Sequence, residues 1–128
     1  MRGASALDKL LQHESDRKFA VLLVWERVGR TRFAPAATKP PPSSVLSRTS
    51  DVRVAQFWDR GQLTSSAFQD AAQKHPGWPT DELVSHEGVI WDTVLVFAPG
   101  GRWDDEPPVP IYADGAVVDA IDEVQKHL

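Results

Sequence analysis

The sequence predicts an α/β three-layer sandwich, a mixed sheet of about four strands flanked by helices on both faces. Three observations carry this expectation. Phe19–Trp25 is an unbroken apolar run, rich in branched residues and bounded by charge, the pattern of a strand buried on both faces. Helical apolar spacing recurs at both ends of the chain, at Leu7/Leu10/Leu11 and at Val117/Ile121/Val124/Leu128. Between these ends, strand-like and helix-like segments alternate, which implies a parallel pair joined by a right-handed crossover. A length of 128 residues suits one domain with no second unit beside it.

Each element has its own local cause. Ser5 followed by Asp8 has the form of a capping box, so the opening helix is expected to start there and to end at Asp16-Arg17-Lys18. After the Phe19–Trp25 strand, Arg27 to Asp51 is irregular. Lys39–Pro42, with three consecutive prolines, should be an exposed stiff connector inside the domain, running on into Ser43 and Ser44. Ser43 or Ser44 can cap a brief turn through Val45, Leu46 and Arg48. Val52–Trp58 alternates as a strand, with Val52, Val54, Gln56 and Trp58 on one face and Arg53, Ala55 and Phe57 on the other. Thr64 or Ser65 caps a helix through Phe68, Ala71 and Ala72, which Pro76 and Gly77 stop. Thr93–Phe97 is a further strand, closed by Pro99-Gly100-Gly101. An acidic loop, Asp104–Pro108, leads to an antiparallel strand at Pro110–Tyr112, and Asp114-Gly115 turns the chain into the last helix.

Composition excludes several function classes. With no cysteine, the chain can supply no thiol nucleophile, thiolate metal site or disulfide. No apolar run approaches the ~20 residues of a membrane span, and Met1–Ser5 lacks the apolar stretch of a signal peptide, so the expectation is a soluble cytoplasmic protein without membrane contact. A pI near 5.5 argues against nucleic acid as a partner. Charge is uneven along the chain. Residues 1–64 carry eleven Lys/Arg against six Asp/Glu, a balance of +5, and residues 65–128 carry three against twelve, a balance of −9. Either the two halves neutralise each other in space or one face is charged for a partner. There is no glycine-rich phosphate loop and no Gly-x-Ser-x-Gly elbow, so neither a nucleotide cofactor nor a serine nucleophile is supported. No metal is expected: His86-Glu87 with Asp81 or Glu82 offers mixed ligands, but no His-x-His or His-x-x-x-His spacing exists.

Asp92-Thr93-Val94-Leu95-Val96-Phe97 followed by Pro99-Gly100-Gly101, then a strand, Gly115 and an amphipathic helix, resembles the second half of the thioredoxin-like superfamily. The steps Trp25-Glu26, Gln56-Phe57-Trp58-Asp59, Trp91-Asp92 and Arg102-Trp103 also resemble an uncharacterised bacterial group within it. The resemblance implies a thioredoxin-like sandwich in which two cysteines would fall around Arg27 to Phe33 and a cis-proline at Asp92. This sequence has neither. Thiol–disulfide exchange needs a thiolate to attack, so oxidoreductase activity of that type is ruled out.

The remaining chemistry lies with the tryptophans. Trp25-Glu26 and Trp58-Asp59 fall at predicted strand ends, and a strand starting near Thr93 brings Trp91-Asp92 to the same sheet edge, where α/β folds bind ligands. With Arg53, or Arg27, these residues would form an aromatic pocket with three carboxylates. Two readings are open. Tryptophan N–H groups need partners and strand-end acids cap the next turn, so the cluster can be purely structural. Alternatively it binds a small molecule, or one carboxylate of raised pKa acts as an acid or base. The second reading requires the carboxylates to line one open cleft, and it fails if they point into helix N-termini. The function expected from the whole is a non-catalytic interaction or accessory module, engaging a protein partner or a second copy of itself.

Overall fold

The structure, a computed structural model, describes residues 2–26, 39–79, 83 and 88–128. The Arg27–Phe33 region and the Asp81/Glu82/His86/Glu87 group lie outside these residues. Eight elements follow in order: α1 (Arg2–His13), β1 (Val21–Glu26), α2 (Ser43–Leu46), β2 (Val54–Asp59), α3 (Leu63–Lys74), β3 (Thr93–Val96), β4 (Tyr112–Gly115) and α4 (Val117–His127).

The single mixed sheet expected from the sequence is not formed. β1 and β2 pair in parallel, in register from Val21↔Val54 to Glu26↔Asp59. β3 and β4 pair antiparallel, from Thr93↔Gly115 to Val96↔Tyr112, in a separate two-stranded sheet. The three-layer, thioredoxin-like sandwich is therefore corrected to two small sheets set among helices. The error lies in β1. A central strand is buried on both faces, yet no residue of β1 is fully buried and Leu22 is 69% exposed. The chain approaching β3 meets the end of β1 only through a side chain: the Ile90 N–H donates to the Ser65 hydroxyl of α3 at 2.9 Å, and that hydroxyl donates to Glu26.

β3 takes the central place instead. Successive side chains of a strand point to opposite faces, and β3 with Phe97 just beyond it uses both. Val94 and Val96 pack with Leu10 of α1, and with Ile121 and Val124 of α4. Leu95 and Phe97 pack on the opposite side against Phe68, Ala71 and Ala72 of α3, together with Trp78 and Leu83. Phe68 sits in an aromatic cage, its ring centroid 5.8 Å from Trp78, 6.0 Å from Phe97 and 5.1 Å from Trp103. α4 buries Val124 and Ala120, with Ile121 and Leu128 packed alongside, so three of the four residues of the expected stripe reach the core and Ala120, outside it, joins them.

Arg53 ties the parallel pair to this core. Its guanidinium donates to the carbonyls of Leu11 and Glu14, the latter at 2.6 Å, near the C-terminus of α1. These are carbonyls that a helix end leaves without intrahelical donors. Asp51 holds the guanidinium in a fork, with Nε and Nη2 donating to its two oxygens at 2.9 and 2.7 Å. The Phe19 ring lies 4.8 Å beneath it. At the same corner, buried Glu14 accepts from Arg17 and Gln125.

Several element boundaries differ from expectation, each for a local reason. α1 begins at Arg2, so Ser5 lies inside the first turns and is not a cap. α2 has Pro42 at its N-cap with no side-chain cap. α3 begins at Leu63, with Gln62 left-handed before it, and carboxylates from the strands take the capping role assigned to Thr64 or Ser65. The last strand is Tyr112–Gly115 rather than Pro110–Tyr112, because proline lacks the N–H a ladder needs.

Two expectations follow. Phe68→Ala removes a 6%-exposed ring from three aromatic neighbours and should cost about 3–5 kcal/mol in urea unfolding, a large share of a domain's total stability. The Arg53 guanidinium lowers the Asp51 pKa to about 2. A carboxylate depressed on folding stabilises the protein above its unfolded pKa of about 3.9 and loses that contribution as pH falls toward its folded pKa. Acid titration of stability should therefore show a loss between about pH 4 and 2 that is smaller in Asp51→Asn.

Candidate functional site

Trp25 and Trp58 are register partners at the C-terminal ends of β1 and β2, and Glu26 and Asp59 are the pair after them. To this extent the predicted edge exists. Its carboxylates, however, are committed. The Glu26 carboxylate accepts from the Ser65 N–H at 2.9 Å and from the Ser65 hydroxyl at 2.6 Å. Asp59 accepts from the Thr64 N–H at 2.7 Å and from the Gly61 N–H at 3.0 Å. Both acids point into the N-terminus of α3, where free backbone donors and the helix dipole favour negative charge. Burial pushes the Asp59 pKa up, but hydrogen bonds from Thr64, Leu63 and Gly61 outweigh it and hold the group below the usual range. A carboxylate held ionised in this way is poorly suited to general acid chemistry.

The other members are elsewhere. Arg53 precedes β2 at its opposite end from Asp59, roughly 20 Å away along a strand rising about 3.3 Å per residue. Its donors are spent on α1 and Asp51. Trp91 and Asp92 precede β3 in the second sheet. Trp91 is 52% exposed, and Asp92 has a left-handed backbone (φ 48°), a conformation aspartate tolerates better than most residues. The Asp92 carbonyl accepts from the Val117 N–H at 3.0 Å, tying the start of β3 to the start of α4. The condition for an acid–base site, three carboxylates on one open cleft, is not met.

Trp25 is also occupied. Its indole N–H donates to the Gln56 side chain at 3.0 Å, and the Gln56 amide in turn donates to the Leu46 and Thr49 carbonyls at 2.9 Å. That chain of bonds holds α2 and the turn after it against the Trp25/Gln56/Trp58 face of the parallel pair.

The opposite face differs. Leu22, Val24 and Glu26 share it with Ala55, Phe57 and Asp59. Beyond the two capped acids it is open: Leu22 is 69% and Phe57 53% exposed, and Ala55 is exposed with them. The sequence places Leu22 in a strand buried on both faces, within the Phe19–Trp25 run, and leaves the Ala55/Phe57 face unassigned. Alternation of Ala55 and Phe57 with Gln56 marks the two faces but not which is covered.

Three further residues were not anticipated as polar centres: Ser65, Gln56 and Glu14. Ser65 is 2% exposed and links three segments, donating to Glu26 and accepting from Ile90. In the acidic loop, Glu106 accepts from Lys74 and His75 at the end of α3, and the His75 bond, then the Lys74 bond, lower its pKa. Among the described residues no cluster of three or more His, Asp and Glu side chains is arranged to hold a metal ion, and no helix is long and apolar enough to cross a membrane.

Ser65→Ala leaves Glu26 and the Ile90 N–H short of a partner at a buried point. It should cost about 1–3 kcal/mol, read as a lower urea midpoint with an unchanged denaturant slope. Comparison with protein-family models, with curated proteins and with solved structures returns no match for the chain.

Proposed function

We propose that the chain is a non-catalytic protein-interaction module, and that its binding face is the Leu22/Ala55/Phe57 side of the β1/β2 pair. The observation that carries the proposal is that Glu26, Asp59 and Arg53 of the predicted pocket are bonded within the fold, whereas Leu22, Ala55 and Phe57 are exposed. Parallel pairs in folded domains are ordinarily covered on both faces, and two strands alone make a marginal sheet. Among the described residues each strand has only the other as ladder partner, so an extended apolar segment of a partner protein fits this site. It would add a third strand at the free edge, with alternate side chains resting on Leu22 and Phe57.

The absence of cysteine supports a non-redox role, here read as that of an accessory component in the cytoplasm. No observation favours the small-molecule or acid–base alternative.

The test is the double substitution Leu22→Ser/Phe57→Ser in the full chain. Both sites are exposed, so unfolding stability should change by less than about 1 kcal/mol, while partners cross-linked to the wild-type chain in cells are lost. An unchanged cross-linking pattern on a folded variant overturns the proposal.

A further inference from the structure

A second surface, away from the sheet face, carries its own complementarity. α1 and α4 pack side by side, and outside their buried seam they leave a groove of about 760 Å³. Its apolar floor includes Ala6 and Ile121, with Val118, 37% exposed, beside them. Lys9 and Arg48 line it from the basic half of the sequence, and Asp122 lines it from α4, in the acidic half. All three charged residues are exposed, and none has an ion-pair or side-chain hydrogen-bond partner among the described residues.

We propose that two copies of this chain associate through the α1/α4 groove about a two-fold axis. The charge arrangement selects this occupant. A groove of one sign calls for a partner of the other sign, but this groove carries both. A two-fold interface sets the same patch against itself, so each contact made by one copy is repeated by the other. Val118 and Asp122 lie one helical turn apart and form a single ridge on α4. With that ridge seated in the neighbouring groove, Asp122 of each copy meets Lys9 and Arg48 of the other, and Val118 covers the Ala6/Ile121 floor. The uneven charge of the two halves of the chain then has a use between molecules.

Sedimentation velocity on the full chain tests this. The wild type should form a dimer whose dissociation constant rises with salt, as exposed ion pairs are screened. Lys9→Glu/Arg48→Glu and Asp122→Lys should each weaken self-association at least about tenfold, since each sets like charges together. Mixed in equal amounts, the two variants should pair with each other, because their reversed charges match. Restoration on mixing shows that both are folded. If the double reversal does not fold, Lys9→Gln/Arg48→Gln replaces it and should weaken the dimer without restoration. A wild type that stays monomeric at every concentration overturns the proposal, as does a dimer indifferent to these charges. A dimer lost only in Leu22→Ser/Phe57→Ser also overturns it, by placing the contact on the sheet face.

Discussion

The Arg53 guanidinium is the joint on which the arrangement of the two sheets depends. It accepts no compromise in geometry: a planar fork must meet Asp51 on one edge and the last carbonyls of α1 on the other. α1 in turn packs with α4 on β3, so a single side chain relates the parallel pair to the core of the antiparallel one. The Glu26–Ser65–Ile90 chain makes a second link at the far end of β1. Both links are polar, directional and partly desolvated, so each specifies an orientation that apolar contact alone would leave loose.

How far this was legible in the sequence depends on the kind of signal. Helical spacing placed α4 closely, because Val124 and its neighbours face one continuous apolar surface. The strands Val21–Glu26, Val54–Asp59 and Thr93–Val96 were found within a residue or two, and the parallel and antiparallel senses of pairing follow from the connections. What failed was the join between pairs. An unbroken run such as Phe19–Trp25 satisfies a buried central strand and an uncovered pair equally well, since local hydrophobicity does not record what lies over it. β3, shorter and less conspicuous, is the strand with cores on both sides.

The candidate site shows a different ambiguity. An acid at the end of a strand looks the same in sequence whether it waits for a substrate or for the next helix. Glu26 and Asp59 serve the helix, and the residue that reveals it is Ser65, whose N–H and hydroxyl both turn to Glu26. A Ser-rich helix start and the strand ending at Glu26 are both visible in the sequence, but not that the one caps the other across 39 residues. Arg53, placed in the pocket by its sequence position, instead joins β2 to the end of α1. Its partners are backbone carbonyls, which any sequence provides and none advertises.

β1 and β2 contribute no side chain to either apolar cluster, since the pair is moored by a guanidinium and a carboxylate at its two ends. A strand packed into a core has its residues dictated by the volume around them. A strand held at its ends is released from that dictation along its middle. Positions such as Leu22, Ala55 and Phe57 can therefore drift in size and chemistry while the moorings stay.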